Sequence, residues 1–294
     1  MVIRGDLQVP TEKDTYAATL AMRVSRAIHA ICAYFDVEAH QFDVTNAFPQ
    51  VELDKDDIVI INYPDALYGL SISLKLWYNH LKNTLEKIGL KSVPESGCVF
   101  CNDELTVCFY VHDIAVFYHM RSKYYFEQFK KILFEVYAVK DMGAIKLFLE
   151  LRIVRNRSER KLWLVQDSYI EKMAQTFKRI DNKGNLIAKN VEIPMKTDKI
   201  KSWDGKATDH QIFMSRPDIA KATQKLAEVQ QNLSQEHFEA VNRVIDYLYT
   251  TRYLAIEYGI SEKGPVFIAA SDASFGDNMP ERTSSEGGIF KLFG

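Results

Sequence analysis

Thr106-Val107-Cys108-Phe109-Tyr110-Val111-His112-Asp113-Ile114-Ala115-Val116-Phe117 sets two apolar runs on either side of a short polar turn. Each run has the length and composition of a buried strand, so the stretch predicts a β-hairpin with carboxylate chemistry at its tip. Tips carried on a rigid sheet are where binding and catalytic groups concentrate. Upstream, Phe42-Asp43-Val44-Thr45-Asn46-Ala47-Phe48 closes a strand-and-turn reading of residues 36–48 and supplies a second aspartate. The two fragments together are the candidate site.

Working outward, Leu20, Val24, Ala27, Ile28, Ile31 and Phe35 fall at helical spacing and predict an amphipathic helix over residues 15–35. Trp77, Leu81, Leu85 and Ile88 form the stripe of a second helix over residues 76–88, with Gly89 as its stop. Residues 99–101 join the hairpin as a strand. Phe126, Phe129, Leu133 and Val136 mark a helix over residues 124–137. Strands follow at 144–154 and 161–165, joined by the charged turn 156–160. Ser168 with Glu171 has the form of a capping box for a helix running to Phe177. The polar stretch 181–209 resembles a linker. Beyond it come helices at 218–231 and 235–249, the second capped by Ser234, and a strand at 266–270 that ends in Ser271-Asp272-Ala273-Ser274. The predicted class is α+β, an antiparallel sheet backed by helices.

The 294 residues are enough for more than one subdomain, and a 12% aromatic content argues against a disordered chain. A net charge of -2 does not mark a nucleic-acid binder, yet residues 121–161 hold eleven Lys or Arg against five acids. A solvated face is the commonest source of such an excess, and a phosphate track the sharper alternative. No apolar run approaches a membrane span, and Met1-Val2-Ile3-Arg4 opens no signal-peptide core. The expectation is an intracellular protein of cytoplasm or nucleus, not secreted, with Cys32, Cys98, Cys101 and Cys108 reduced. Cys98, Cys101, Cys108 and His112 do not have zinc spacing, because strand residues three apart point to opposite faces. Asp54-Lys55-Asp56-Asp57 lacks the glycine and distal glutamate of a calcium loop and predicts a turn.

Phe42-Asp43-Val44-Thr45-Asn46-Ala47-Phe48 and Tyr110-Val111-His112-Asp113 resemble motifs A and C of the copia-type LTR retrotransposon reverse transcriptases, whose turn reads Tyr-Val-Asp-Asp. The likeness runs along almost the whole chain. Val2-Ile3-Arg4-Gly5 is similar to the strand ahead of the palm. Ala66-Leu67-Tyr68-Gly69-Leu70 with Leu76-Trp77-Tyr78 is similar to the motif B region. Lys140-Asp141-Met142-Gly143 and Gln166-Asp167-Ser168-Tyr169-Ile170 match the segment after the hairpin, and Ser215-Arg216-Pro217-Asp218 the connection. Ser271-Asp272-Ala273 with Arg282-Thr283-Ser284 resembles the opening of a ribonuclease H domain.

The resemblance implies a reverse-transcriptase-like palm and fingers over residues 1–180, a linker and helical connection over 181–260, and a truncated ribonuclease H-like segment over 261–294. It implies an RNA-directed DNA polymerase whose partners are an RNA template, a DNA primer and dNTPs, with no membrane. Nucleotide addition in such enzymes uses two divalent ions about 3.5–4 Å apart. By family position Asp43 and Asp113 would hold Mg²⁺ or Mn²⁺, and His112 stands at the third catalytic position. Asn46 and Ala47 would lie along the triphosphate, and Phe48 against the sugar, where it would exclude a 2′-OH. Asp272 would be the ribonuclease H relic.

The chain departs from the family pattern at several points. His112 replaces an aspartate, which removes one negative charge and offers nitrogen, a better donor for Mn²⁺ or Zn²⁺ than for Mg²⁺. Misplacing one ion costs about a thousandfold in rate, since several kcal/mol of charge stabilisation are at stake. Ser71-Ile72-Ser73-Leu74 stands where motif B usually carries a basic residue, Gln, Ser and Pro. The segments before Ala66 and before Arg216 are shorter than the family's. The chain begins just after a basic residue of the pattern and stops at Gly294, which leaves Asp272 without the other ribonuclease H acids. These departures predict an impaired or inactive polymerase. The alternative is a non-catalytic retroelement remnant with at most weak nucleic-acid binding.

Overall fold

The computed structural model describes residues 15–52, 70, 72–187, 191–195, 216–227, 235–259, 266–278 and 283–292. The turn expected at residues 54–57, the shortened segment before Ala66 and the Ser234 cap lie outside the described residues. The chain forms two compact units, Met1–Ile145 and Lys146–Gly294.

The first unit is built on an antiparallel sheet. In chain order its elements are α1 (Met22–Tyr34), β1 (Glu38–Val44), α2 (Ser73–Lys87), β2 (Lys91–Val93), β3 (Ser96–Cys101), β4 (Leu105–Tyr110), β5 (Asp113–Tyr118), α3 (Lys123–Val136) and β6 (Val139–Ala144). The strands lie in the order β2-β3-β4-β5-β1-β6. The hairpin β4–β5 is therefore central, and β1 pairs with it antiparallel, Phe42 opposite Ile114 and Asp43 opposite Asp113.

Opposed residues share a face of a sheet and neighbours alternate, so Phe42 and Asp43 point to opposite sides. Phe42 is fully buried. Its ring meets Phe126 at 6.1 Å, Phe129 at 6.4 Å and Phe134 edge-on at 6.2 Å, all on α3. Tyr118 stacks on Phe126 at 4.3 Å. This aromatic layer makes α3 the backing helix of the sheet. The other face carries Asp43 and Asp113 at one end. At its far end His29 of α1 meets Phe117 edge-on at 5.7 Å.

The predicted helices and the hairpin form close to the residues expected, and the departures have identifiable causes. α1 begins at Met22, not at residue 15. Residues 15–21 are drawn against β3 instead. Cys98 Sγ donates to the Ala18 carbonyl at 3.1 Å, and Ala18 Cβ would lie only 3.1 Å from a Cβ on Gly97. β6 is absent from the sequence reading because Lys140-Asp141-Met142-Gly143 has no strand periodicity; pairing with β1 creates it. Its Asp141 bonds His40 and Lys130, each at 2.6 Å, and the Gly143 amide at 2.8 Å. Burial opposes ionisation there, but those donors outweigh it and hold the carboxyl down at about 2.

The second unit holds a sheet ordered β10-β9-β8-β7, from β7 (Leu147–Phe148), β8 (Leu151–Asn156), β9 (Lys161–Val165) and β10 (Ala255–Tyr258). The single strand expected at 144–154 is broken at Leu149 and Glu150, with φ of +52° and +60°. Positive φ at two successive loop residues is the pattern of a tight hairpin turn, normally supplied by Asn or Gly, so the sequence gives no warning of it. α4 (Asp167–Thr176) starts one residue before the expected cap, which places Ser168 inside the helix. Asp167 is held by the Arg152 guanidinium through bonds of 3.1 and 2.6 Å. α5 (Ala220–Ala227) and α6 (Gln235–Thr250) share a core with α4 through Ile170, Ala174, Ile219, Ala222, Ile245 and Leu248. Ile180, Leu186, Val191 and Met195 join that core, so part of the expected linker is structured. The last strand is longer than expected: β11 (Phe267–Asn278) pairs with β12 (Thr283–Leu292) as a separate ribbon.

Two predictions follow from the first unit's core. Phe42→Ala should cost about 3–5 kcal/mol of unfolding free energy, read by urea denaturation. His29 Nδ1 donates to the Ser25 carbonyl at 2.7 Å, and its buried Nε2 has no partner among the described residues, so protonation would leave a buried charge. Burial lowers its pKa from 6.5 to about 4, against the smaller effect of the Ser25 bond. The unfolded chain therefore binds the extra proton first as pH falls. Stability should be level above pH 6.5 and fall between 6.5 and about 4, by about 3 kcal/mol at most, and His29→Leu should flatten that slope.

Candidate active site

The β4–β5 hairpin closes with a two-residue loop, Val111-His112, because Tyr110 pairs directly with Asp113. Val111 has a φ of +54°, a conformation β-branched residues rarely adopt. Positive φ at the first loop residue is the position where a type II′ hairpin turn favours glycine. The turn is tied down on two sides. The Val44 amide donates to the His112 carbonyl at 2.9 Å, and the Trp77 indole donates to the Val111 carbonyl at 2.6 Å.

This geometry brings three predicted residues together. One ligand atom from each of Asp43, His112 and Asp113 lies within 4.8 Å of the others. The two aspartates are half-buried and His112 is exposed. Among the described residues this is a set of side chains spaced to surround one cation. Gln41, two residues before Asp43 on the same face of β1, donates its amide to Asp113 Oδ1 at 3.2 Å. A neutral donor steadies the carboxylate without bringing a competing positive charge.

The segment after Asp43 is pinned by backbone bonds. The Thr45 amide donates to the Ala138 carbonyl at 2.9 Å. Gln50 closes the same junction: its Oε1 accepts from the Ala138 amide at 2.7 Å, and its Nε2 donates to the Thr45 carbonyl. Asn46 takes a φ of +50°, which its side chain tolerates, and is exposed. Ala47 is fully buried, backbone included, whereas Phe48 is half-buried at the start of a short 3-10 turn, Phe48–Gln50.

Behind the turn, Trp77 meets Tyr137 edge-on at 5.2 Å. The Tyr137 hydroxyl bonds His80 Nδ1 at 2.8 Å and Thr84 Oγ1 at 2.9 Å. Burial, only partly offset by the Thr84 bond, pushes the Tyr137 phenol up to about 12. Burial and then the nearby Lys87 charge lower the His80 pKa, which favours its neutral form. Cys98 and Cys108 are core thiols; burial pushes Cys98 up to about 12 and Cys108 still higher. Part of the basic span is engaged in ion pairs, with Lys130 on Asp141, Lys131 on Glu135, Arg152 on Asp167 and Lys161 on Glu257. Asp272 lies in the second unit, exposed on β11 opposite Gly287.

Gln41 was legible in principle, since period-two alternation puts it beside Asp43. Gln50 and the Trp77 bond have no local signal; both partners are distant in sequence.

With the geometry in place, comparison with known proteins is decisive. The family model described as reverse transcriptase (RNA-dependent DNA polymerase) matches residues 1–191. The chain belongs to the copia-type reverse transcriptase family. It is 25% identical to the retrovirus-related Pol polyprotein from transposon TNT 1-94 of Nicotiana tabacum, over 96% of this chain and 23% of that protein. It is 26% identical to the corresponding polyprotein from transposon RE1 of Arabidopsis thaliana, over 95% of this chain and 20% of that one. A transposon Ty5-1 protein of Saccharomyces cerevisiae is 28% identical over 66% of each chain. The chain thus spans about a quarter or less of the two plant polyproteins. No helix among the described residues is long and apolar enough to cross a membrane.

The Gln50 clamp gives a direct test. Glu at this position still accepts from Ala138 but cannot donate to Thr45, and it sets a carboxylate against a carbonyl. Gln50→Glu should cost about 1–3 kcal/mol in urea denaturation.

Proposed function

We propose that this chain carries a reverse transcriptase palm whose metal-holding pair, Asp43 and Asp113, is retained and whose polymerase activity is impaired by His112. The observation that supports it is the convergence of Asp43, His112 and Asp113 within 4.8 Å at the tip of a strained hairpin. Two carboxylates are hard oxygen donors suited to Mg²⁺, and the imidazole shifts the set toward Mn²⁺. When bound, such ions supply charge stabilisation for the attacking and leaving oxygens of phosphoryl transfer. The substrates would be dNTPs on an RNA template with a DNA primer.

The chain's own residues divide the remaining work. Gln41 orients the Asp113 carboxylate. The bonds from Thr45 and Gln50 to Ala138 fix the segment on which Asn46 and Ala47 would lie along a triphosphate. Phe48 would bar a ribose 2′-OH by its bulk. In this reading residues 1–180 form the fingers and palm, 181–260 the connection, and 261–294, with Asp272, a ribonuclease H-like segment. The second reading, a non-catalytic remnant, draws on His112 and on Ser71-Ile72-Ser73-Leu74 in place of the motif B pattern.

Primer extension on an oligonucleotide-primed RNA template separates the two. The native chain should extend feebly, better with Mn²⁺ than with Mg²⁺, and above an Asp43→Asn control. His112→Asp should raise the Mg²⁺ rate by up to about a thousandfold. Native extension in Mg²⁺ equal to that of His112→Asp would remove the impairment. No extension by either chain with either ion would favour the remnant.

A further inference from the structure

We infer that Trp77 is a positioning residue for the catalytic turn: its indole N–H holds the Val111–His112 peptide in the orientation that aims His112 and Asp113 at Asp43. The inference rests on the proposed reading of that group as a metal site.

The peptide that Trp77 grips is the one whose rotation would matter most. Val111 is held at φ +54°, where a β-branched side chain clashes with its own backbone, so the free turn would relax toward other conformations. Relaxation would swing the carbonyl of Val111 and re-aim the two residues that follow. A donor on that carbonyl opposes the swing. Trp77 is 1% exposed, and its Nε1 lies 2.6 Å from the Val111 oxygen, a short bond shielded from water.

The indole is itself immobilised by groups that lead to the other wall of the site. Its ring abuts Tyr137, whose hydroxyl is bonded by His80 and Thr84 from the same helix as Trp77. The next residue, Ala138, is the one that Thr45 and Gln50 bond. One side chain of α2 thus touches the Asp113 turn directly and the segment after Asp43 through two residues. A buried indole N–H ordinarily finds an acceptor; here the acceptor is the carbonyl of the strained turn residue, and Trp77→Phe removes the N–H while keeping most of the ring.

The test combines metal-free hydrogen exchange with Mn²⁺ titration followed by electron paramagnetic resonance, on the full chain. In Trp77→Phe, exchange in a peptide covering residues 110–114 should speed up about tenfold, while peptides from β3 and the first half of β4 change little. Mn²⁺ affinity should fall about three- to tenfold. Val111→Asn supplies a residue that accepts positive φ, so in that background Trp77→Phe should change Mn²⁺ affinity by less than about twofold. That background also relieves the strain, which keeps the comparison available if Trp77→Phe alone does not fold.

Unchanged exchange at the turn would overturn the proposal. So would a uniform rise across β3, β4 and β5, which would make Trp77 ordinary core. Full persistence of the effect beside Val111→Asn would mean that Trp77 does not act through Val111. Should the native chain bind Mn²⁺ no better than Asp43→Asn while turn exchange still responds to Trp77→Phe, the metal reading fails and the positioning of the turn by Trp77 stands.

Discussion

The antiparallel register of β1 against β5 is the constraint from which the candidate site follows. With Asp43 opposite Asp113, both carboxylates emerge on one face at the same end of the sheet. That register is enforced from the opposite face, where Phe42 fits among Phe126, Phe129 and Phe134. A slip by one residue would drive Asp43 into the aromatic layer and turn Phe42 to solvent. Burying an unpaired carboxylate costs several kcal/mol, so the hydrophobic layer indirectly fixes the spacing of the acids. Chemistry on one face is aligned by packing on the other.

The local supports of the site are mostly neutral. Gln41 donates to Asp113, Gln50 closes the Thr45–Ala138 junction, Val44 bonds the turn, and Trp77 bonds its strained residue. Ion pairs among the described residues include Lys130–Asp141 in the first unit and Arg179–Asp246 in the second. An amide or an indole orients a carboxylate or a turn without adding a charge. His112 stands where the family pattern has a further carboxylate.

Much of this was legible along the chain, and the gaps share one cause. The hairpin and the long helices rest on short-range periodicity and form close to the residues expected, and Asp43 and Asp113 stand in contiguous motifs. Residues 15–21 have a helical pattern, yet they are taken by β3, where Ala18 caps the Cys98 thiol and fills the space left by Gly97. β6 has no strand signal and exists because β1 offers an open edge. The break at Leu149 and Glu150 uses residues that seldom adopt positive φ, so composition points away from it. In each case a partner distant in sequence outweighs a weak local preference.

The sequence by itself determined the family, the acidic hairpin and the substitution at His112, because these are properties of contiguous residues and their order. It also established the amphipathic stripes that supply both cores. Only the tertiary structure decided which strands are neighbours, and therefore that Asp43, His112 and Asp113 converge, that Gln50 spans to Ala138, and that Trp77 reaches Val111. Those contacts join residues far apart along the chain. Their geometry depends on register and helix docking, which no local window of sequence encodes.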